Sequence, residues 1–369
     1  MPEKISFVIP YIHEYPAICH TVFSIQAEMQ DSPYNWDIIA VENGTVDENT
    51  NRWFTEGGPR PPVFRDELGR RIKYLFDPIQ CGPHARNTGA RASDADYVMF
   101  MDAHTGLGKN SVSPLVEFLK DTPNAGLVSG LTSWSTYWYD RLGSYYELFL
   151  LPKQQATHNG GRTLDVAMHG HYMSAGHLSD RYPEQYQKKL PIRVVMGSQA
   201  YTMYRKKDFL DIGGYCDAAR FYPHPEGYMP LKLQMAGKEA YVHLGSYHFH
   251  SMFPRKYKVS EVEANTKIQE HGGYSWQEHG RMNIYKIAYI LGEEKWAKIC
   301  RKSIAEESGE HPGEDKLLEL AIEQAKPIRE ELAPKFKYTL EEVLTSARKE
   351  KLPGMENWFD PIGPDPLAA

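Results

Sequence analysis

Apolar residues in the first hundred positions fall into short runs separated by spaced stripes. Ile5-Ser6-Phe7-Val8-Ile9, Asp37-Ile38-Ile39-Ala40-Val41, Ile72 to Phe76 and Tyr97-Val98-Met99-Phe100-Met101 are rich in bulky and β-branched side chains. Runs of this length and character predict buried strands. Pro10 ends the first. Ile18, Val22, Ile25 and Met29 follow at helical spacing, with Pro16 at the helix start, where its missing N–H costs nothing. His84 to Ser93 reads as a small-residue helix in which Ala85, Gly89 and Ala92 permit close packing on a sheet. Strand and helix alternate with short links, which predicts an α/β fold with a mostly parallel sheet flanked by helices. Ligands of such sheets bind beyond the carboxyl ends of the strands, and Asp102 stands at one such end.

The pattern changes beyond residue 130. Residues 131–182 carry Trp134, Tyr137, Trp138, Tyr139, Tyr145 and Tyr146, then Gly- and His-rich stretches at His158-Asn159-Gly160-Gly161 and His169-Gly170-His171. This reads as an insertion ending in a long loop or flap. From about Lys256 the chain reads as helical and strongly charged. Ser260-Glu261-Val262-Glu263 and Thr339-Leu340-Glu341-Glu342 are capping-box patterns, and Pro312, Pro327 and Pro334 divide the region into short helices. We therefore expect one unit over 1–255, with 131–182 as its insertion, and a helical extension and loose tail over 256–369.

Composition narrows the class. Lys and Arg number 42 against 48 Asp and Glu, a formal net charge of −6, which argues against a nonspecific nucleic-acid binder. Arg181, Lys188, Lys189, Arg193, Arg205, Lys206 and Lys207 still make one locally basic region. The four cysteines, Cys19, Cys81, Cys216 and Cys300, form no paired motif and point to a reducing, cytoplasmic setting without structural zinc. No stretch approaches the roughly 18–20 apolar residues needed to span a bilayer.

Candidate chemistry begins at Asp102-Ala103-His104. A carboxylate and an imidazole two residues apart at a strand end leave toward one side, and oxygen and nitrogen ligands so placed suit a cation of the Mn or Mg type. A solvated turn is the plain alternative. The histidines at 158–171 are irregularly spaced and read as loop polarity rather than a second metal site.

Several segments, in this order, resemble the GT-A glycosyltransferases of family 2 over roughly residues 4–255. Val8-Ile9-Pro10-Tyr11-Ile12-His13-Glu14 resembles the first strand and its turn against the nucleotide base, carrying over Pro10, Tyr11 and Glu14. Val41-Glu42-Asn43-Gly44-Thr45-Val46-Asp47 resembles the turn after the second strand, with Glu42 and Asn43 in the base-binding places. A carboxylate there accepts the imide N–H of uracil; the alternative is a tight Asn-Gly turn. Gly82-Pro83-His84-Ala85-Arg86-Asn87-Thr88-Gly89-Ala90 resembles the segment that begins a helix under the donor. Arg86 would pair with the diphosphate or buttress the Asp102 turn, and Asn87 would hold base or ribose. Met196-Gly197-Ser198 and Ile212-Gly213-Gly214-Tyr215-Cys216-Asp217 resemble the acceptor-side glycine turns, Gly197 lying on the donor. The helix Tyr228 to Met235, closed by Ala236-Gly237, then puts Glu226 in the place of the general base, with helix capping as the alternative.

The Asp-x-His triplet falls in the place of the family's Asp-x-Asp and resembles instead that of the polypeptide N-acetylgalactosaminyltransferases, which recruit a later His to the metal. Gly245-Ser246-Tyr247-His248-Phe249-His250-Ser251, followed by Arg255, is such a segment, with His250 the expected third ligand and His248 the alternate. The resemblance implies a GT-A fold and a Mn2+- or Mg2+-dependent hexosyltransferase using a nucleotide-sugar, a UDP-sugar above all. Transfer would be to an acceptor hydroxyl and inverting through Glu226; the Asp-x-His pattern leaves a retaining outcome open. A saccharide, a protein or a hydroxymethylated nucleic-acid base would serve as acceptor. A noncatalytic nucleotide-sugar sensor and a nucleotidyltransferase are the readings from other classes; the Gly-rich, Lys-bearing loop of the latter is missing after Ile9.

Overall fold

The computed structural model describes residues 3–15, 17–44, 46, 48, 68, 70–135, 157–164, 170–174, 181–221, 225–251 and 272–352. Four predicted strands form where the apolar runs lie: β1 (Lys4–Tyr11), β2 (Asn35–Asn43), β3 (Ile72–Asp77) and β4 (Tyr97–Met101). They are followed by β5 (Thr105–Leu107), β6 (Ala125–Ser135), β7 (Thr157–Leu164), β8 (Gly170–Ser174), β9 (Pro191–Val194), β10 (Tyr201–Arg205) and β11 (Glu239–Ser251). Among the described residues these make one sheet, with β3-β2-β1-β4-β10-β6-β11-β5 as its main path. Along that path β3, β2, β1, β4, β6 and β11 run one way, and β10 and β5 run against them. The sheet is mostly parallel, as the sequence predicts.

Alternating side chains explain why it is covered on both faces. Val8, Ile39, Val41, Val98 and Phe100 enter one core cluster, while Phe7, Ile9, Ile38, Ala40, Met99 and Met101 enter the other. The second face is covered by α1 (Ala17–Met29), whose stripe of Ile18, Val22, Ile25 and Met29 is buried, and by α3 (Ser113–Asp121). The first face carries α2 (Gly82–Ala92), α5 (Lys206–Asp211) and α6 (Pro225–Met235). It also carries residues of α7 (Trp276–Ser308), α8 (Glu314–Leu332) and α9 (Leu340–Lys349) in the same cluster. A short helix, α4 (Pro183–Lys188), precedes β9.

Three expectations need correction. The Gly/His stretch predicted as a loop contains β7 and β8, an antiparallel pair attached to β6; main-chain pairing there proceeds without an apolar alternation to announce it. Pro327 lies inside α8 and does not divide the region, since a helix held by a buried face can absorb one lost hydrogen bond. Interspersed charges along the C-terminal region suggest a solvated surface, yet Trp296, Tyr285, Ile290 and Leu344 are buried there. The Thr339–Glu342 capping box forms as predicted, and Ser275 with Glu278 makes a second at the start of α7. The Ser260–Glu263 pattern, the tail, Arg255 and the aromatic side chains at 134–146 lie outside the described residues, as does the side chain of Glu226.

Candidate metal and donor site

The six parallel strands share a carboxyl edge, and the site forms there. Asp102 follows β4, and the turn Asp102-Ala103-His104 leads into β5, whose Thr105 pairs with His250 of β11. This pairing puts two histidines 146 positions apart side by side, their rings edge to face with centroids 4.6 Å apart. One ligand atom from each of Asp102, His104 and His250 lies within 4.8 Å of the others. His250 Nε2 is 3.3 Å from Asp102 Oδ2. A carboxylate with two imidazoles is a donor set suited to Mn2+ and similar cations, and the spacing allows all three to converge on one. His248 is not in the group. Its ring is fully buried against Tyr201, with centroids 4.7 Å apart. Burial, with His250 adding to it, pushes its pKa down to about 3.

The turn is held from three sides. Thr21 of α1 donates to Ala103 O at 2.8 Å and accepts from Thr105 N at 3.1 Å, and Thr105 Oγ1 donates to Asp102 O at 2.6 Å. Arg86 Nη2 donates to Asp102 Oδ1 at 2.7 Å, which buttresses the turn. Burial disfavours the ionised Asp102 carboxylate. The hydrogen bond from His250 and the charges of Arg86, His250 and His104 outweigh it and hold the carboxyl well below the usual range. Asp102 N donates to Ala200 O at 3.2 Å, which ties the turn to the segment carrying Gly197. Gly197 itself is buried, its carbonyl accepting from Gln199 Nε2 at 3.2 Å.

Glu14 meets the Asp102 turn, its Oε1 lying 3.2 Å from His104 Nδ1. Tyr11 and Glu42 are opposite one another at the ends of β1 and β2, next to Pro10 and Val41. Glu42 is fully buried and accepts from the Tyr74 hydroxyl. Asn43 Oδ1 accepts from Cys81 N at 2.8 Å. Gly44, at φ +85°, turns so tightly against Gln80 that a Cβ would collide, so the Asn-Gly turn is real. Asn87 is bonded to the segment that follows α5. Its Oδ1 accepts from Tyr215 N at 2.7 Å, and its Nδ2 donates to Tyr215 O at 2.9 Å and Asp217 Oδ1 at 2.6 Å.

The sequence reading missed Thr21, Tyr74 and Gln199. Thr21 carried a signal, a polar residue on the buried stripe of α1. Gln199 is a buried acceptor shared by the hydroxyls of Tyr204 and Tyr215 and had none. Glu28 was missed too: it accepts from the backbone N–H groups of Asn110, Ser111 and Val112 at 2.6–3.1 Å and fixes the exit of β5.

Known proteins share this chain's family and fold. The model of the family described as glycosyl transferase family 2 matches residues 6–213. No curated protein matches the chain. The fold is similar to that of GalNAc-T7 solved with UDP, GalNAc and Mn2+, with a TM-score of 0.61 and 14% identity over 90% of this chain and 57% of that one. The chain thus spans little more than half of that neighbour. A mannosyltransferase, PcManGT from Pyrobaculum calidifontis, solved with GDP-Man and Mn2+, aligns over 95% of this chain and 88% of its own at 15% identity and a TM-score of 0.45. Among the described residues no helix is long and apolar enough to cross a membrane.

Proposed function

Because the chain belongs to glycosyl transferase family 2, we propose that it moves a hexosyl residue from a UDP-sugar to an acceptor hydroxyl with inversion, using a divalent cation. The observation that carries this reading is the convergence of Asp102, His104 and His250 at the carboxyl edge of the sheet. Asp102, His104 and His250 would hold a Mn2+ or Mg2+ ion, which would supply positive charge against the charge that develops on a leaving diphosphate. Arg86 keeps Asp102 ionised and aimed, and Glu14 keeps the His104 ring turned toward the cation.

Glu42 accepts the imide N–H of uracil, with Tyr74 fixing its carboxylate. Pro10, Tyr11 and Asn43 shape the floor beneath the base, and Gly197 lies on the donor side of the Asp102 turn. Glu226, at the start of α6, takes the proton from the acceptor hydroxyl as its oxygen bonds the anomeric carbon and the bond to the diphosphate breaks. The four cysteines are buried and form no disulfide, in keeping with a cytoplasmic setting. A saccharide, a protein or a modified nucleic-acid base is the acceptor.

A calorimetric scan of nucleotide-sugars with and without Mn2+ tests this reading. UDP-sugar binding should require the cation and disappear in Asp102→Ala with the fold retained; unchanged metal affinity in that variant would refute the site. Glu226→Gln should bind donor normally and turn over about 10²–10⁴-fold more slowly, the contribution of a positioned base. The pairing of Asp102-Ala103-His104 with a later histidine favours a second reading, retaining transfer, in which Glu226→Gln keeps near-normal turnover.

A further inference from the structure

Strand β5 ends the main path of the sheet, and a helix covers its outer edge. On the inner edge Leu107, Gly106 and Thr105 pair with β11, and Gly108 N donates to Tyr247 O at 3.1 Å just beyond. In an antiparallel pair the main-chain groups of alternate residues point toward the partner and away from it. The groups that point away, at 103, 105 and 107, are met by α1. Thr21, Ser24 and Glu28 lie along one stripe of that helix, at helical spacing beside its apolar stripe. Thr21 Oγ1 accepts from Thr105 N, and Ser24 Oγ accepts from Leu107 N at 3.2 Å. Glu28 takes the N–H groups of 110–112. Polar side chains of α1 thus stand where a further strand would pair.

Of this stripe, Thr21 is the member that meets the cation ligands. Its hydroxyl donates to Ala103 O at 2.8 Å and accepts from Thr105 N at 3.1 Å. Those two groups belong to the two peptide units that flank His104, so a single oxygen fixes both. Thr105 Oγ1 carries the constraint on to Asp102 through its 2.6 Å bond to Asp102 O. Thr21 is fully buried, and Ile18, Val22, Ile25 and Met29 anchor its helix in the core. The hydroxyl is therefore a fixed point for the turn.

We propose that Thr21 is a positioning residue for the cation: by closing a hydrogen bond on either side of His104, it sets where His104 and Asp102 stand relative to His250. This rests on the reading of those three residues as ligands of one ion. Two of them come from the turn and one from β11, and a binding constellation must be held to within about 0.5 Å to work. A hydroxyl donates and accepts through one atom. Serine keeps both bonds and loses a methyl group. Valine keeps the shape and loses both bonds. Cysteine keeps the size, with a weak donor and a weak acceptor.

The test uses the full chain. Mn2+ is titrated in the presence of UDP and followed by its paramagnetic signal, beside the thermal midpoint without the ion. Thr21→Val should raise the Mn2+ Kd by about 10–100-fold, the range for losing an outer-shell partner, while Thr21→Ser stays within about threefold of normal. A packing role alone would reverse that order, because serine removes a buried methyl group and valine removes none. Thr21→Cys covers the case in which the valine variant does not fold, and should give an intermediate loss. Ser24→Ala removes the bond to Leu107 N one turn along α1; it should lower the midpoint and leave Mn2+ affinity near normal. Normal Mn2+ affinity in folded Thr21→Val or Thr21→Cys would overturn the proposal. So would a loss in Thr21→Ser, or in Ser24→Ala, as large as that in Thr21→Val. Unchanged Mn2+ affinity in Asp102→Ala removes the cation site itself, and Thr21's role with it. A loss in Asp102→Ala without one in Thr21→Val leaves the site standing and rejects only the positioning.

Discussion

Glu14 has its carboxylate on His104 Nδ1, and the value of that contact can be measured. Outer-shell partners of ligating histidines are worth roughly 10–100-fold in metal affinity. Glu14→Gln should therefore weaken Mn2+ binding by about that factor while UDP-sugar affinity at saturating Mn2+ stays near normal; a titration of Mn2+ followed by its paramagnetic signal reads this. His250→Ala should abolish the same binding, and His248→Phe, which keeps a ring against Tyr201, should leave it intact. A different residue, Lys232, sets a pH dependence of stability. It is fully buried on α6, donates to Gly214 O and lies over the Tyr228 ring at 4.3 Å. Burial pushes its pKa down from 10.5 to about 7. Between those values the unfolded chain holds a proton that the folded chain lacks, so stability should rise with pH from about 7 to 10.5, at up to roughly 1.4 kcal/mol per unit. Urea unfolding at pH 7 and pH 9 should show this rise, and Lys232→Met should reduce it.

At the scale of elements, α2 matters most, because it presses on β1 and β2 through Gly89. A Cβ there would collide with Val8 Cγ1. Gly89→Ala should cost about 1–3 kcal/mol by overpacking and, by lifting the helix, carry Arg86 away from Asp102; thermal denaturation and Mn2+ affinity should fall together. This helix was legible in the sequence, as were α1 and the four first strands, since each has a face that must be apolar or small. Elements without such a face were not. β5 is three residues long, and β11 carries Ser246, His248 and His250 and a register shift between His243 and Tyr247. The site was legible to the same extent. Asp102, His104 and His250 could be picked out by residue type and order. That Glu14 meets His104, and that Asn87 turns to Tyr215 and Asp217, depends on which strand ends and turns become neighbours, which no local pattern carries.

For the whole molecule, the helices α7–α9 share one apolar cluster with α6 and a face of the sheet. Trp296, Tyr285 and Leu344 are buried in it. Such a cluster predicts one cooperative unit despite the change of composition near residue 256. Thermal unfolding followed by far-ultraviolet circular dichroism and by tryptophan fluorescence should give coincident transitions. A chain ending at residue 271 should expose the sheet's covered face and aggregate.

The pairing of β5 with β11 also sets a time at which the cation site can exist. Asp102 and His104 leave the ribosome about 150 residues before His250, and loop closure over such a distance is a late event. A partly made chain can offer one carboxylate and one imidazole, too few to hold a cation firmly. The complete group arises only after β11 has docked beside β5. A cation that binds all three ligands thus distinguishes finished molecules from unfinished ones. By mass action it also locks the finished ones, adding about 2.7 kcal/mol to stability at one hundred times its Kd.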